Sequence, residues 1–175
     1  MTKEEIADVL AQHKAWREGN GGKRANLSRA DFLGANLSGA NLLRADFLGA
    51  NLSGANLSRA NLSGANLSGA DFLGANLSGA DLSGADLSRA DFLGAKINDK
   101  TAIGILRRAP RSDGYEFFLW HCQEGYFIKA GCRFLDMEAA RQHWTATRAG
   151  TPLGDESLEI LDFFDAAIKR QGGAA

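Results

Sequence analysis

Residues 35–39, 50–54, 65–69 and 75–79 each read Ala-Asn-Leu-Ser-Gly, and variants of these five residues run on without a break from Ala25 to Ile97. Every fifth residue from Ala25 to Ala95 is alanine, and every fifth residue from Leu27 to Ile97 is large and apolar: ten Leu, four Phe and one Ile. Five residues fit neither regular period. On an α-helix the Ala and Leu positions would scatter around the circumference. On a continuous strand Leu27 and Phe32 would face opposite ways, because five is odd. The pattern is consistent if the chain turns a corner every five residues. Ala and the apolar residue two places on then point inward from one short extended side, and the residues that follow make the corner. Four corners return the chain to its starting side after twenty residues. Stacked coils hydrogen-bond like strands of a parallel sheet, so the expected fold is mainly β, a solenoid.

In these residues the chain resembles the pentapeptide repeat family. The resemblance covers residues 25–97 and implies a right-handed quadrilateral β-helix, with the Leu/Phe position and the Ala two before it pointing inward. Departures are few: Leu stands in place of Ser at 33, 43, 48, 73 and 93, and Lys96 and Ile97 close the array. Fifteen repeats give about four coils, and at ~4.8 Å per coil the solenoid is roughly 18 Å tall. Each buried Leu contributes roughly 1.5–3 kcal/mol relative to exposure. Both ends would be open sheet edges unless covered, so the flanks read first as caps. The expected organisation is an N-terminal capping helix (1–24), the β-helix (25–97) and a small C-terminal α+β module (98–175).

The N-terminal flank reads as a helix over residues 3–18. Thr2 with Glu5 three places on is a capping-box signal. Ile6, Val9, Leu10, His13 and Trp16 follow helical spacing, and the glycines at 19, 21 and 22 end it. Beyond Ala95 the period stops. Residues 101–106 read as a strand or a last irregular coil, and 107–114 as a basic linker or turn. Tyr115–Cys122 and Tyr126–Phe134 read as two strands around Gln-Glu-Gly. Asp136–Arg148 is an expected helix capped by Asp136, with Met137, Ala140 and Trp144 inward. Asp155–Arg170 is a second, with Leu158, Leu161, Phe164 and Ile168 on one stripe. The module is therefore expected to be ββαα. It is similar to the hairpin-plus-helix tails that follow some bacterial and phage pentapeptide arrays, mainly in Ala-Gly-Cys-Arg-Phe at 130–134 and His-Trp at 143–144.

The 175 residues carry a net charge of −1, which gives no global basic field for binding nucleic acid directly. No run approaches the roughly 18 apolar residues of a membrane span, and the N-terminus lacks the apolar core of a signal peptide. The two cysteines, Cys122 and Cys132, read as free, small apolar residues, which points to a reducing cytoplasm.

Catalysis needs a base, a nucleophile and an orienting group. The array has no His, Cys, Glu or Tyr, and its Ser residues form outward ladders with nothing to deprotonate them. No enzyme, catalytic residue, cofactor or metal is expected. The mixed group His121, Cys122, Cys132 and His143 has ligand types suited to zinc, but the first two are strand neighbours that face opposite ways. The glycines are corner residues, not a phosphate-binding loop.

Sorting outer residues by the twenty-residue coil shows that the sides differ. Asp31, Asn51, Asp71 and Asp91 fall on one side, where the position after the apolar centre reads Leu33, Ser53, Leu73, Leu93. Asp46 and Asp86 stand on the preceding side. A third side carries Asn36, Asn56, Asn76 and Lys96. An apolar stripe beside an acidic one reads as a contact surface, to be covered by the C-terminal module, by a second copy in a homodimer, or by a foreign protein partner. The expected interaction face is Asp31, Leu33, Asp71, Leu73, Asp91 and Leu93, with Asp46 and Asp86 beside it.

The leading expectation is thus a non-enzymatic protein-binding or scaffolding protein acting through this face or the C-terminal module. The resemblance also implies an alternative, because some pentapeptide proteins mimic duplex DNA: an inhibitor or protector of a DNA-binding enzyme such as DNA gyrase, another topoisomerase or a phage-defence effector. About 18 Å of duplex carries about 11 negative charges. Residues 25–97 hold six Asp against four Arg and one Lys, so mimicry through the array alone is electrostatically poor.

Overall fold

A computed structural model describes residues 2–130, 133–148 and 150–172. The chain forms two compact units, Met1–Asp99 and Lys100–Ala175.

The first unit opens with helix α1, Lys3–Arg17. Its start is fixed as the sequence suggests: the Glu5 backbone N–H donates to Thr2 Oγ1 at 3.2 Å, and the Thr2 N–H donates to Glu5 Oε2 at 2.8 Å. The stripe Ile6, Val9, Leu10 and Trp16 is half-buried and His13 is fully buried. After the helix the chain passes Gly22, at φ +75°, where a Cβ would overlap the Gln12 carbonyl oxygen. Only glycine satisfies both conditions.

The array follows. Parallel bridges link residues twenty apart, from Asn26 with Asp46 through to Asn76 with Lys96. The Leu27 N–H donates to the Asp46 carbonyl at 2.7 Å, and the Asp46 N–H donates back to the Ala25 carbonyl at 2.9 Å. The same pair of bonds recurs from pentad to pentad. Corners close locally, as where the Ala35 N–H donates to the Phe32 carbonyl at 2.9 Å. The last residue of each repeat takes the left-handed conformation. Usually it is Gly, but Arg29, Arg44, Arg59 and Arg89 adopt it too, at φ 57–60°. The interior is Ala with Leu or Phe, and the side chains of Leu42, Phe47, Leu52, Leu57, Leu62, Leu67, Phe72 and Leu77 are wholly excluded from solvent. Alanine is the small wall residue that lets these large side chains meet at the axis. The short strand β1, Lys96–Ile97, ends the ladder. Asn98 then makes the final corner, its carbonyl accepting from Ser78 Oγ and its side-chain oxygen from the Gly79 N–H. The fold is a β-helix solenoid, as the five-residue period requires.

The second unit departs from the expected ββαα order. Among the described residues it contains four strands, β2 (Lys100–Pro110), β3 (Glu116–Cys122), β4 (Gly125–Ala130) and β5 (Arg133–Asp136), antiparallel in sequence order. Residues 107–110, expected as basic linker, continue β2. The guanidinium of Arg108 is neutralised there by two hydrogen bonds to Glu116, at 2.8 and 2.9 Å. The turn that follows is confined to 111–114, where the Arg111 N–H donates to the Tyr115 carbonyl. The run 126–134, expected as one strand, is two: Ala130 lies opposite Arg133 in adjacent antiparallel strands. The sequence signal for that break is the glycine at 131 inside an alternating pattern.

Helix α2, Met137–Arg148, starts where expected, with Asp136 Oδ1 accepting from the Ala139 N–H at 2.7 Å. Helix α3, Pro152–Arg170, begins three residues before the expected Asp155. Thr151 caps it and Pro152 takes the first turn, a start signal hidden behind the charged Asp155. One face of the sheet packs on both helices: Phe117, Leu119 and Ile128 meet Trp144, Leu161, Phe164 and Ile168 in a common core. Arg141 ties the helices together by ion pairs to Asp162 and Asp165.

Candidate interaction face

The array places the expected face residues as sorted. Parallel bridges connect Asp31 to Asn51, Asn51 to Asp71 and Asp71 to Asp91, so these four form one column. Asn26, Asp46, Asn66 and Asp86 form the column of the preceding side, and Asn36, Asn56, Asn76 and Lys96 a third, which carries no carboxylate.

Each Asp or Asn of the first column accepts from the N–H two residues on. Asp31 Oδ1 takes the Leu33 N–H at 3.1 Å, Asp71 Oδ1 the Leu73 N–H at 2.8 Å and Asp91 Oδ1 the Leu93 N–H at 2.9 Å. This turn fixes the acidic side chain and directs the following Leu outward. Asn51 Nδ2 bridges to Asp31 Oδ1 at 3.0 Å, and Asn66 Nδ2 to Asp46 Oδ1 at the same distance. Amides therefore relieve carboxylate repulsion where they alternate. No amide stands between Asp71 and Asp91 in the column, so the acidity is concentrated at that end.

Leu33, Leu73 and Leu93 are exposed to 67%, 46% and 52%. Ser53 sits between them, its hydroxyl donating to the Leu73 carbonyl at 3.1 Å. Behind these leucines, inside the coil, lie Phe32, Leu52, Phe72 and Phe92, with the last two rings stacked at 4.8 Å and nearly parallel. Aromatic packing stiffens the wall that carries the stripe.

Sequence sorting left one residue out of the face. Leu48, on the side of Asp46, is 42% exposed. Its pentad, 45–49, reads Ala-Asp-Phe-Leu-Gly, as do 30–34, 70–74 and 90–94. An acidic turn, an aromatic core residue and an outward leucine thus occur together four times, three of them on one side. That co-occurrence was the available signal for Leu48.

Of the mixed group His121, Cys122, Cys132 and His143, the three described residues are accounted for by packing. No three His, Cys, Asp or Glu side chains there are placed to hold a metal ion. His121 stacks on Tyr126 at 4.8 Å, and His143 lies edge-on to Trp144. Cys122 is free and buried, and burial pushes its thiol up to about 11, leaving it inert. Cys132 lies outside the described residues. No helix among the described residues is long and apolar enough to cross a membrane.

No curated protein matches the chain. Solved structures similar to it include a pentapeptide repeat protein of the Arabidopsis thaliana thylakoid lumen, 37% identical over 42% of this chain and 52% of that one, with a TM-score of 0.41. A second is HetL, a pentapeptide repeat protein involved in heterocyst differentiation regulation in the cyanobacterium Nostoc, 47% identical over 44% of this chain and 38% of that one, TM-score 0.36. A third is another pentapeptide repeat protein of Nostoc, 30% identical over 50% of this chain and 77% of that one, TM-score 0.20. The chain spans about half or less of the length of the first two. The family model for pentapeptide repeats (8 copies) matches residues 23–59 and 55–94. Through this array the chain belongs to the pentapeptide repeat family.

Proposed function

We propose that the protein is a non-enzymatic protein-binding scaffold whose contact surface is the solenoid side bearing Leu33, Leu73 and Leu93 with Asp31, Asp71 and Asp91. The observation that carries this reading is the exposed leucine stripe set on a column of packed core residues. Its leucines are held by turns whose acceptors are the acidic residues themselves, so apolar and charged groups are presented together in fixed geometry. A surface ordered before binding loses little entropy on contact. Asp46, Asp86 and Leu48 extend it around the corner. On this reading the array is a short rigid rod of about four right-handed coils, and the partner is a protein with an apolar strip flanked by basic groups. The inert, buried Cys122 suits a reducing cytoplasm.

The experiment is the triple change Leu33→Ser, Leu73→Ser, Leu93→Ser, with sizing by light scattering and capture of partners from lysate before and after. Loss of a captured protein, with the thermal transition unchanged, supports the reading. Unchanged capture and unchanged size overturn it. The DNA-mimic alternative rests on Asp71 and Asp91 adjacent in the column. It requires instead that duplex DNA compete with the chain for its target.

A further inference from the structure

The second unit holds a cleft of about 720 Å³ between the turn at 111–114, strand β5 and the junction of α2 with α3. Its floor is rigid. Arg111, almost fully buried, donates from Nε and Nη2 to both Asp113 oxygens, at 2.9 and 2.6 Å, and from Nη1 to Ser157 Oγ at 3.0 Å. Its guanidinium lies over the Tyr115 ring, 4.9 Å from the centroid. With all three nitrogens engaged, Arg111 is structural, and its charge is balanced by Asp113.

The rim is different. Arg133 from β5, and His143 and Arg148 from α2, line the same cleft. Among the described residues no carboxylate pairs with either arginine. The N-terminal end of α3, at Thr151 to Leu153, completes the wall, and a helix start adds positive potential. Burial, and then the charges of Arg133 and Arg148, hold the His143 imidazole below its usual range. Two cations and a helix start therefore line one cleft with the His143 imidazole, and the Asp113 carboxylate that also lines it is engaged by Arg111.

We propose that this cleft binds the phosphate group of a phosphorylated small molecule, held by Arg133, Arg148 and His143 against the start of α3. Two unbalanced guanidinium charges match a phosphomonoester, which carries about −1.5 to −2 at neutral pH. A carboxylate would leave one of them unmatched. Arginine is the residue suited to such oxyanions, through its planar fork of donors. The volume lies within the ~300–1,000 Å³ of small-molecule sites and far exceeds a bare phosphate, so the ligand has a body beyond its anionic group. The proposal is independent of the solenoid face.

The test is a titration of the full chain with phenyl phosphate, followed by NMR of the His143 ring, with benzoate and sodium chloride at matched ionic strength in parallel. Phenyl phosphate should give a saturable shift and raise the His143 pKa by about one unit, because the anion offsets the neighbouring arginines. Benzoate should bind about tenfold more weakly, and Arg133→Gln or Arg148→Gln should each weaken phenyl phosphate about tenfold. Both arginines are exposed, so the variants should fold, which the wild-type thermal transition checks. Absence of a saturable shift in the wild type overturns the site, as does benzoate binding equally well. So does an affinity unchanged in both variants.

Discussion

The side chain of Arg44 lies across Gly64, the corresponding corner one coil on, so that a Cβ on Gly64 would stand 3.2 Å from Arg44 Cγ. Arg59 covers Gly79 in the same way at 3.5 Å, and Arg29 covers Gly49 at 3.8 Å. The last two are ordinary contact distances, so of the three only the site under Arg44 would be tight for a Cβ.

Gly64→Ala should cost more than Gly69→Ala. Both sites are left-handed, at φ +64° and +65°, but nothing lies near Gly69. The conformational penalty alone is about 1–2 kcal/mol, and the Arg44 contact adds to it at position 64. In an Arg44→Gly background the two costs should converge. Urea denaturation of the six chains decides this; equal costs in the wild-type background would show that the Arg44 stem simply swings aside.

Gly154→Ala should be strongly destabilising although the position is helical. A Cβ there would overlap the Arg148 carbonyl where α2 and α3 approach. Overpacking of about 1–3 kcal/mol outweighs the roughly 1 kcal/mol that alanine gains in helix propensity. The control is Gly104→Ala in β2, where nothing lies within 4 Å and the change should be near neutral. Calorimetric Tm values for both variants check the contrast.

His13 predicts a loss of stability on mild acidification. Its pKa lies below the ordinary 6.5, first because of burial and then because of Arg17, with Arg24 adding a little; the Leu43 backbone opposes them. Its Nδ1 accepts from the Ala25 N–H at 3.1 Å, which the neutral ring alone can do. Below pH 6.5 the unfolded chain binds a proton here before the folded chain does, so it gains relative stability. The contribution is whole above 6.5 and is lost as pH falls through the folded value. His143 shifts the same way, whereas Asp113, held at about 2 by Arg111, matters only in stronger acid. Thermal melts between pH 7 and 5 should therefore fall less steeply for His13→Gln than for wild type. Parallel slopes would remove His13 from the account.

Binding through the leucine stripe should tolerate salt. Exposed charges are screened within about 8 Å at physiological ionic strength, whereas apolar burial is not. A captured partner should stay bound when salt is raised severalfold, and Asp71→Asn with Asp91→Asn should slow association more than speed release. Steep loss of affinity with salt would instead favour the acidic column as the principal contact.

The array was legible because its reading depends on arithmetic. A five-residue period with Ala and Leu two apart admits one solution, and the columns Asp31–Asn51–Asp71–Asp91 follow from counting in twenties. The second unit was less legible because its signals compete. Arg107 and Arg108 look like linker until Glu116 is known to lie across the strand pair. The run from Tyr126 alternates convincingly past Gly131, and Thr151-Pro152 is overshadowed by Asp155. The cluster of Arg133, His143 and Arg148 could not be read at all, since only the packing of α2 on the sheet brings those positions together.

Bridges between residues twenty apart also give the array a phase. One extra pentad placed between Gly54 and Gly69 would keep every inward Ala and Leu satisfied, so the solenoid would still fold. Yet it would turn all later columns by a quarter, and Leu73 and Leu93 would leave the side of Leu33. Four extra pentads would bring them back, one storey further away. Repeat number, which packing barely restricts, is therefore a coarse dial for the direction in which the outer residues point. Addition or loss of single pentads would redirect such a surface with no change to the core that supports it.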